Sequence, residues 1–492
     1  MTRSWTILPR TYRDSATLMR LSAEVSARPG IRQAVAVMGT ENNLANLAAA
    51  GLVGEDAWQA GPADLVLVVE AECPDAARDA LQVLRAGLVS ARRQAFAQAG
   101  EALPLTLESA ARRLPGANLV LISVPGEYAA AEATRALHLG MDVFLFSDNV
   151  PMEQEIELKM LASRLNRLVM GPDCGTAIID GIPLGFANRV RRGSIGIAGA
   201  AGTGIQEATC IIHRAGLGIS HAYGTGGRDL DDRVGGITML RALELLGQDP
   251  DTRVVLVIAK SAGVNTTRVI QERAAFLGKP VVLVLLGAGD QAPCPAGVSL
   301  AVTLEEGARE AAALALGTPV PEPDTSPAKA RMRPGGRWIR GLFSGGTLCT
   351  EAATVLGPYL GEFSRSWPAR KHALVDLGDD IYTRGRPHPM IDPGLRNQWI
   401  QEQAREPDVG IILLDVVLGY GSHPDPAGAV AAAIARLPTG DRPCFIASVC
   451  GTAEDPQGLE AQESKLKEAG VLVQPTAAAA ARLAARALGG AI

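Results

Sequence analysis

A chain of 492 residues, 47% hydrophobic and 20% charged with a formal charge of −5, has room for three or four cores and lacks the clustered Lys and Arg of a nucleic-acid binder. Its seven cysteines (73, 174, 210, 294, 349, 444 and 450) are odd in number and without CxxC spacing, which argues against a disulfide framework or a zinc site. No apolar run follows Met1 and none elsewhere approaches a membrane span, so the expectation is a cytoplasmic protein with no membrane partner, no nucleic acid and no bound metal.

Residues 1 to about 100 read strand (5–8), helix (14–27), strand (34–38), a polar helical stretch, strand (65–70) and helix (74–86). Asp14 or Ser15 can cap the first helix, and Pro74 suits the first turn of the last. So short an alternation predicts a small α/β sandwich of ferredoxin-like type, placed at 1–115. Buried strands at 118–124, 142–146 and 167–170, separated by helices, then predict a parallel sheet with helices on both faces over 116–190. Ligands collect beyond the carboxyl ends of such strands, where Asp148-Asn149 and Asp173-Cys174 lie.

Two later stretches read like copies of one device. Ser194 to Glu207 and Ile339 to Glu351 each form an apolar strand, a small-residue turn carrying Gly-Thr, and a helix start with a glutamate five residues past the turn glycine. A generic βα turn also favours glycine, but two copies point to anion cradles built from backbone N–H groups and helix dipoles: Gly202, Thr203 and Gly204 in one, Ser344, Gly345, Gly346 and Thr347 in the other. Each opens a doubly wound unit, at 191–318 and 337–492, joined by a proline-rich stretch at 319–336 that reads as an exposed linker. Aligning the turns brings Gly227-Arg228-Asp229 close to Gly378-Asp379-Asp380, so an internal duplication is expected.

His138 and His213 fall on predicted helices and read as structural. His388 follows a buried strand in the proline-stiffened run Arg384-Gly385-Arg386-Pro387-His388-Pro389, where two arginines can clamp a carboxylate or phosphate and a histidine can move a proton, although a solvated loop reads equally well. Asp379 and Asp380 could bind a metal, orient amide N–H groups of a substrate or cap a helix. Asn149, Asp173, Cys174, Arg228, Asp229, Glu207 and Glu351 are candidate rim residues, as are Lys260, Asp415 and Cys450 at strand ends.

The run Gly171 to Thr176, the turn Gly199 to Glu207, Gly226 to Leu230, and above all Asp376 to Pro393 resemble the FdrA family over essentially the whole chain. The resemblance implies kinship with succinyl-CoA synthetase: a Rossmann-like CoA-binding-type unit and a flavodoxin-like ligase-type domain matching its α subunit, then a second flavodoxin-like domain matching the end of its β subunit. There, two helix N-termini face a phosphate carried on histidine, whereas the matching loop here, 287–295, has none, and no ATP-grasp unit is recognisable. The family therefore implies a subunit of an oxamate carbamoyltransferase in allantoin and purine breakdown. Oxalurate and phosphate would exchange with oxamate and carbamoyl phosphate, with Arg384, Arg386, His388, Asp379 and Asp380 catalytic and phosphate between the two turns. It also implies small anionic substrates, further carbamoyltransferase subunits or a homo-oligomer as partners, and CoA as a possible ligand but not ATP. The alternatives are an acyl-CoA synthetase or CoA-dependent acyl transferase, with CoA held at 117–190, and a non-catalytic anion-sensing subunit.

Overall fold

The computed structural model describes residues 2–98 except 12 and 14, 104–287 except 261, 294–321, 330–383, and 387–489 except 439. Its strands are β1 (Thr2–Leu8), β2 (Ile31–Met38), β3 (Leu65–Ala71), β4 (Leu119–Ile122), β5 (Asp142–Leu145), β6 (Val169–Met170), β7 (Thr176–Ile179), β8 (Ile182–Gly185), β9 (Arg192–Gly199), β10 (Ile219–Gly224), β11 (Val254–Lys260), β12 (Val281–Leu286), β13 (Val298–Ala301), β14 (Trp338–Phe343), β15 (Ala373–Asp376), β16 (Val409–Val417), β17 (Cys444–Cys450) and β18 (Leu472–Gln474).

Four sheets result. The first is antiparallel, β1-β3-β2, the second parallel, β4-β5-β6. Helices Ser15–Ser26 and Pro74–Gln98 cover one face of the first through Leu18, Leu21 and Leu84, while Leu44 and Leu47 cover the other against Val35, Val66 and Val68. The third sheet runs β13-β12-β11-β9-β10-β7-β8 and the fourth β15-β14-β16-β17-β18. Strands such as β11, β12 and β16 are buried almost throughout, which is why they read as continuous Val, Ile and Leu runs. The α/β class and the parallel sheets agree with the sequence reading; the hairpin β7–β8, paired antiparallel to β10, was not foreseen.

The third and fourth sheets share one core. Helices Gly202–Arg214, Leu304–Leu316, Gly346–Leu360 and Ala477–Ala487 lie between them, and Ile205, Ala208, Ala308, Leu348, Ala352, Ala480 and Ala484 belong to a single buried apolar cluster. Burial of such side chains, at roughly 25 cal/mol per Å² of apolar surface, is the main force holding the two units together. Directional contacts fix their register. The Asn188 amide donates to Asp455 Oδ2 (2.7 Å), the Arg189 amide N–H to Asp455 Oδ1 (2.8 Å), and the Thr452 hydroxyl to the Arg189 carbonyl (2.7 Å).

The stretch before β14 is less exposed than its composition predicts. Arg333 is buried and its guanidinium donates to the carbonyls of Pro407, Ala404 and Asp441, which anchors residues 330–336 to the fourth unit. No helix among the described residues is long and apolar enough to cross a membrane.

Candidate functional site

The two Gly-Thr turns meet. A Cβ built on Gly345 would lie 3.0 Å from the Thr203 side chain, and one on Gly204 would lie 2.9 Å from Thr347 Cγ2, so each threonine rests on the glycine of the other turn. A Cβ at either place would crowd the facing threonine, so glycine lets the helix starts approach this closely. Gly202, Thr203, Gly346 and Thr347 line a cleft of about 510 Å³. Among the described residues nothing accepts from the amides of Gly202, Thr203 and Gly204, or from those of Gly346, Thr347 and Leu348. These orphan donors and the positive helix ends favour an anion.

The opposite wall comes from the second and fourth units. Asp148, Asp173 and Asp380 line the cleft, with Asn149 (φ 54°) and Asp173 (φ 55°) in left-handed turns that short polar side chains tolerate. Desolvation, reinforced by the charges of Asp148 and Asp380, pushes Asp173 up to about 7; Asp148 is raised by desolvation and the Asp380 charge, against a hydrogen bond from Asn149. Lys260 and His388 also line the cleft. Burial pushes His388 down to about 4, so the ring is neutral, and its Nδ1 accepts from the Met390 amide (3.2 Å), which leaves Nε2 carrying the proton as a donor. Phe186 flanks the His388 ring at 6.2 Å.

The second turn differs from the first. Asp415 Oδ1 accepts from Ser344 N and Oδ2 from Gly345 N, both at 2.7 Å, and the buried Arg396 bonds Asp415 and the Ser344 hydroxyl. Burial raises Asp415, opposed by Arg396 and the two amides. Ser344 and Gly345 therefore spend their amides on a protein carboxylate, and a ligand would reach only the donors that follow. Asp376, pushed up to about 6 by burial against the opposing charge of Lys260, lies beside Gly346.

Several expected rim residues are structural. Cys174 is buried against the carbonyls of Thr176 and Gly224, and burial pushes its thiol up to about 12, the opposite of an activated nucleophile. Asp229 is buried, pairs with Lys159 Nζ (2.8 Å) and accepts from Thr238 and Met239 N–H at the start of helix Ile237–Gln248. Arg228 bonds the Val150 carbonyl and Glu155. Asp379 Oδ1 accepts from the Ile381 amide in the one-turn helix Asp380–Thr383, unlike Asp380, which faces the cleft. Cys450 is buried beside Cys210. Arg384 and Arg386 lie outside the described residues.

The two equivalent glutamates are inter-unit caps. Glu207, on the helix of the first turn, accepts from Ala477 N at the start of the last helix (3.1 Å). Glu351, on the helix of the second turn, accepts from Leu304 N (2.7 Å) and Glu305 N (3.2 Å) in the other unit. Sequence reading missed this exchange, and it missed Gln206, which lines the cleft with its amide donating to Asn188 Oδ1 and the Leu418 carbonyl.

Paired flavodoxin-like units with facing helix starts define a protein of the CoA-ligase type. A CoA-ligase family model matches residues 342–487, a CoA binding domain model residues 190–277, and a model described as AllF, heavy metal-associated domain, residues 1–103. YahF of Escherichia coli strain K12, an uncharacterized protein, is 40% identical over 493 residues, covering 95% of each chain. The chain belongs to the family of YahF, the acyl-CoA-synthetase-like FdrA family. The α subunit of ADP-forming succinate–CoA ligase from Aquifex aeolicus is 31% identical over 178 residues, which cover 35% of this chain and 57% of that subunit. Among solved structures, the dinucleotide-forming acetyl-coenzyme A synthetase 1 of Ca. Korarchaeum cryptofilum aligns at 18% identity and a TM-score of 0.33, over 76% of this chain and 84% of that one.

These matches overturn the carbamoyltransferase assignment: they point to the CoA-ligase and acyl-CoA-synthetase type, and none points to carbamoyl transfer. The CoA binding match falls on the unit that carries the first Gly-Thr turn, after the 117–190 stretch where CoA was expected. A heavy-metal site does not fit residues 1–103, which hold one cysteine, Cys73, and no histidine. Among the described residues no group of three or more His, Cys, Asp or Glu could hold a metal ion.

Proposed function

We propose that this chain is a CoA-dependent acyl-transfer enzyme of the acyl-CoA synthetase type, exchanging an acyl group between phosphate and CoA. The observation that carries the reading is the convergence of two unclaimed helix N-termini, at Gly202-Thr203 and Gly346-Thr347, on one cleft with Lys260 and a neutral His388. In the transfer, the sulfur of CoA adds to the acyl carbonyl carbon, the carbon–oxygen bond to phosphate breaks, and inorganic phosphate departs with the bond's electron pair. The helix amides hold the phosphate, and the His388 Nε2–H and Lys260 ammonium stabilise the developing oxyanion. Asp173, poised near neutrality, takes the thiol proton. CoA, where bound, supplies the thiol. The CoA-ligase and CoA binding domain matches support this reading over a non-catalytic anion sensor.

Calorimetric titration with CoA, followed by a thioester assay with a panel of acyl phosphates, tests it. Micromolar CoA binding and phosphate-releasing thioester formation are expected. No CoA binding at millimolar concentration together with no thioester from any acyl phosphate would overturn the reading.

A further inference from the structure

A second cavity, of about 790 Å³, lies where the N-terminal unit meets the fourth unit. Its lining carries four arginines (Arg3, Arg28, Arg32 and Arg436) against two carboxylates, Glu70 and Asp392, in a chain whose formal charge is −5. Glu70 is buried and already shared, by Arg3 Nε at 2.9 Å and Arg32 Nε at 3.4 Å. The side chains of Arg28 and Arg436 have no hydrogen-bond or ion-pair partner among the described residues. Helix Gly394–Arg405 begins beside the same space through Gly394 and Leu395, with the Gly394 N–H already given to Asp392 Oδ1 (2.9 Å).

We propose that this seam is a binding site for a nucleotide-sized polyphosphate. Guanidinium forks from two units supply charge-assisted donors for phosphate oxygens. The volume falls within the roughly 300–1,000 Å³ of small-molecule sites. The location gives such a ligand a consequence. Leu377, Tyr382, Pro387 and Pro389 face this cavity, while Gly378, Asp380, Thr383 and His388 face the acyl-transfer cleft, so residues 377–383 and 387–389 stand between the two. Because the residues that line it contribute none of the acyl-transfer machinery, the site stands whether or not the acyl-transfer reading holds.

Adenosine diphosphate occurs free and as part of CoA, and the test separates these sources. The full chain is titrated by calorimetry with ADP and with CoA, in the wild type and in Arg28→Glu, Arg436→Glu and Thr347→Val variants. Both arginines are exposed, so charge reversal leaves the fold intact, and unchanged melting curves verify this. ADP is expected to bind with an affinity that falls at least ten-fold in each arginine variant and with added salt, and that does not change in Thr347→Val. Displacement of ADP by CoA would assign the site to the adenosine diphosphate portion of CoA, and independent binding would assign it to a free nucleotide. Amide hydrogen exchange locates the ligand: protection by ADP at residues 31–34 and 394–398 is expected. Absence of ADP and CoA binding, binding indifferent to both arginines, or protection confined to residues 200–206 would overturn the proposal.

Discussion

Replacing Glu351 tests the reciprocal caps directly. Its Oε1 receives the buried amides of Leu304 at 2.7 Å and Glu305 at 3.2 Å, so Glu351→Ala strands two donors at the head of helix Leu304–Leu316. An orphaned buried donor costs roughly 1–3 kcal/mol, and a net loss of about 2 kcal/mol corresponds to about thirty-fold faster exchange of those amides. Glu351→Gln keeps an acceptor and removes the ionisable group. Burial, with the Glu207 charge behind it, pushes Glu351 from 4.5 up to about 8, so the folded protein holds a proton that the unfolded chain releases. The associated stability is fully present below pH 4.5 and is lost as pH rises through about 8, a total on the order of 5 kcal/mol. The Gln variant should therefore match wild type only near pH 4, exceed it by about 2 kcal/mol near pH 6 and by about 5 kcal/mol near pH 9, while the Ala variant stays about 2 kcal/mol below Gln throughout. Hydrogen exchange of residues 304–306 by mass spectrometry, with urea midpoints at these pH values, reads the outcome. Unchanged exchange in Glu351→Ala, or a pH slope that survives Glu351→Gln, would refute the argument.

Three further outcomes follow from the site. Gly345→Ala places a Cβ 3.0 Å from the Thr203 side chain, so the turns should part and thioester formation should fall at least ten-fold, with CoA affinity and turnover measured separately. Asp173, acting as a base with its pKa near 7, predicts a kcat/KM that rises with pH through neutrality; Asp173→Asn should lower the rate by about 100-fold or more and flatten that profile. Cys174→Ser should retain wild-type turnover, and folded wild type should resist alkylation at this thiol, because the side chain is buried and its pKa stands at about 12.

The sheets were legible because buried parallel strands write themselves as unbroken Val, Ile and Leu runs, and the duplication because its two turns repeat the same small residues. The hairpin β7–β8 was legible too, though overlooked: Asp180-Gly181 is a two-residue turn signal, and both residues adopt positive φ (53° and 78°). The roles of Glu207 and Glu351 were not. Their matched spacing was visible, but their partners lie 270 and 47 residues away, across an interface that only packing creates. For the same reason Asp415 read as a rim residue, when the amides it binds are about 70 residues earlier. Strand-end position alone does not separate Asp173, which faces the cleft, from Cys174, which points into the core.

The exchange of caps between the two flavodoxin-like units makes the contact nearly self-complementary, as between the halves of a symmetric dimer, but with both halves on one polypeptide. Tethering holds each half at a high effective concentration of the other and fixes their ratio at one to one. A chain cut between Gly317 and Trp338 should consequently still assemble as two pieces, at a rate that depends on concentration where the intact chain's does not.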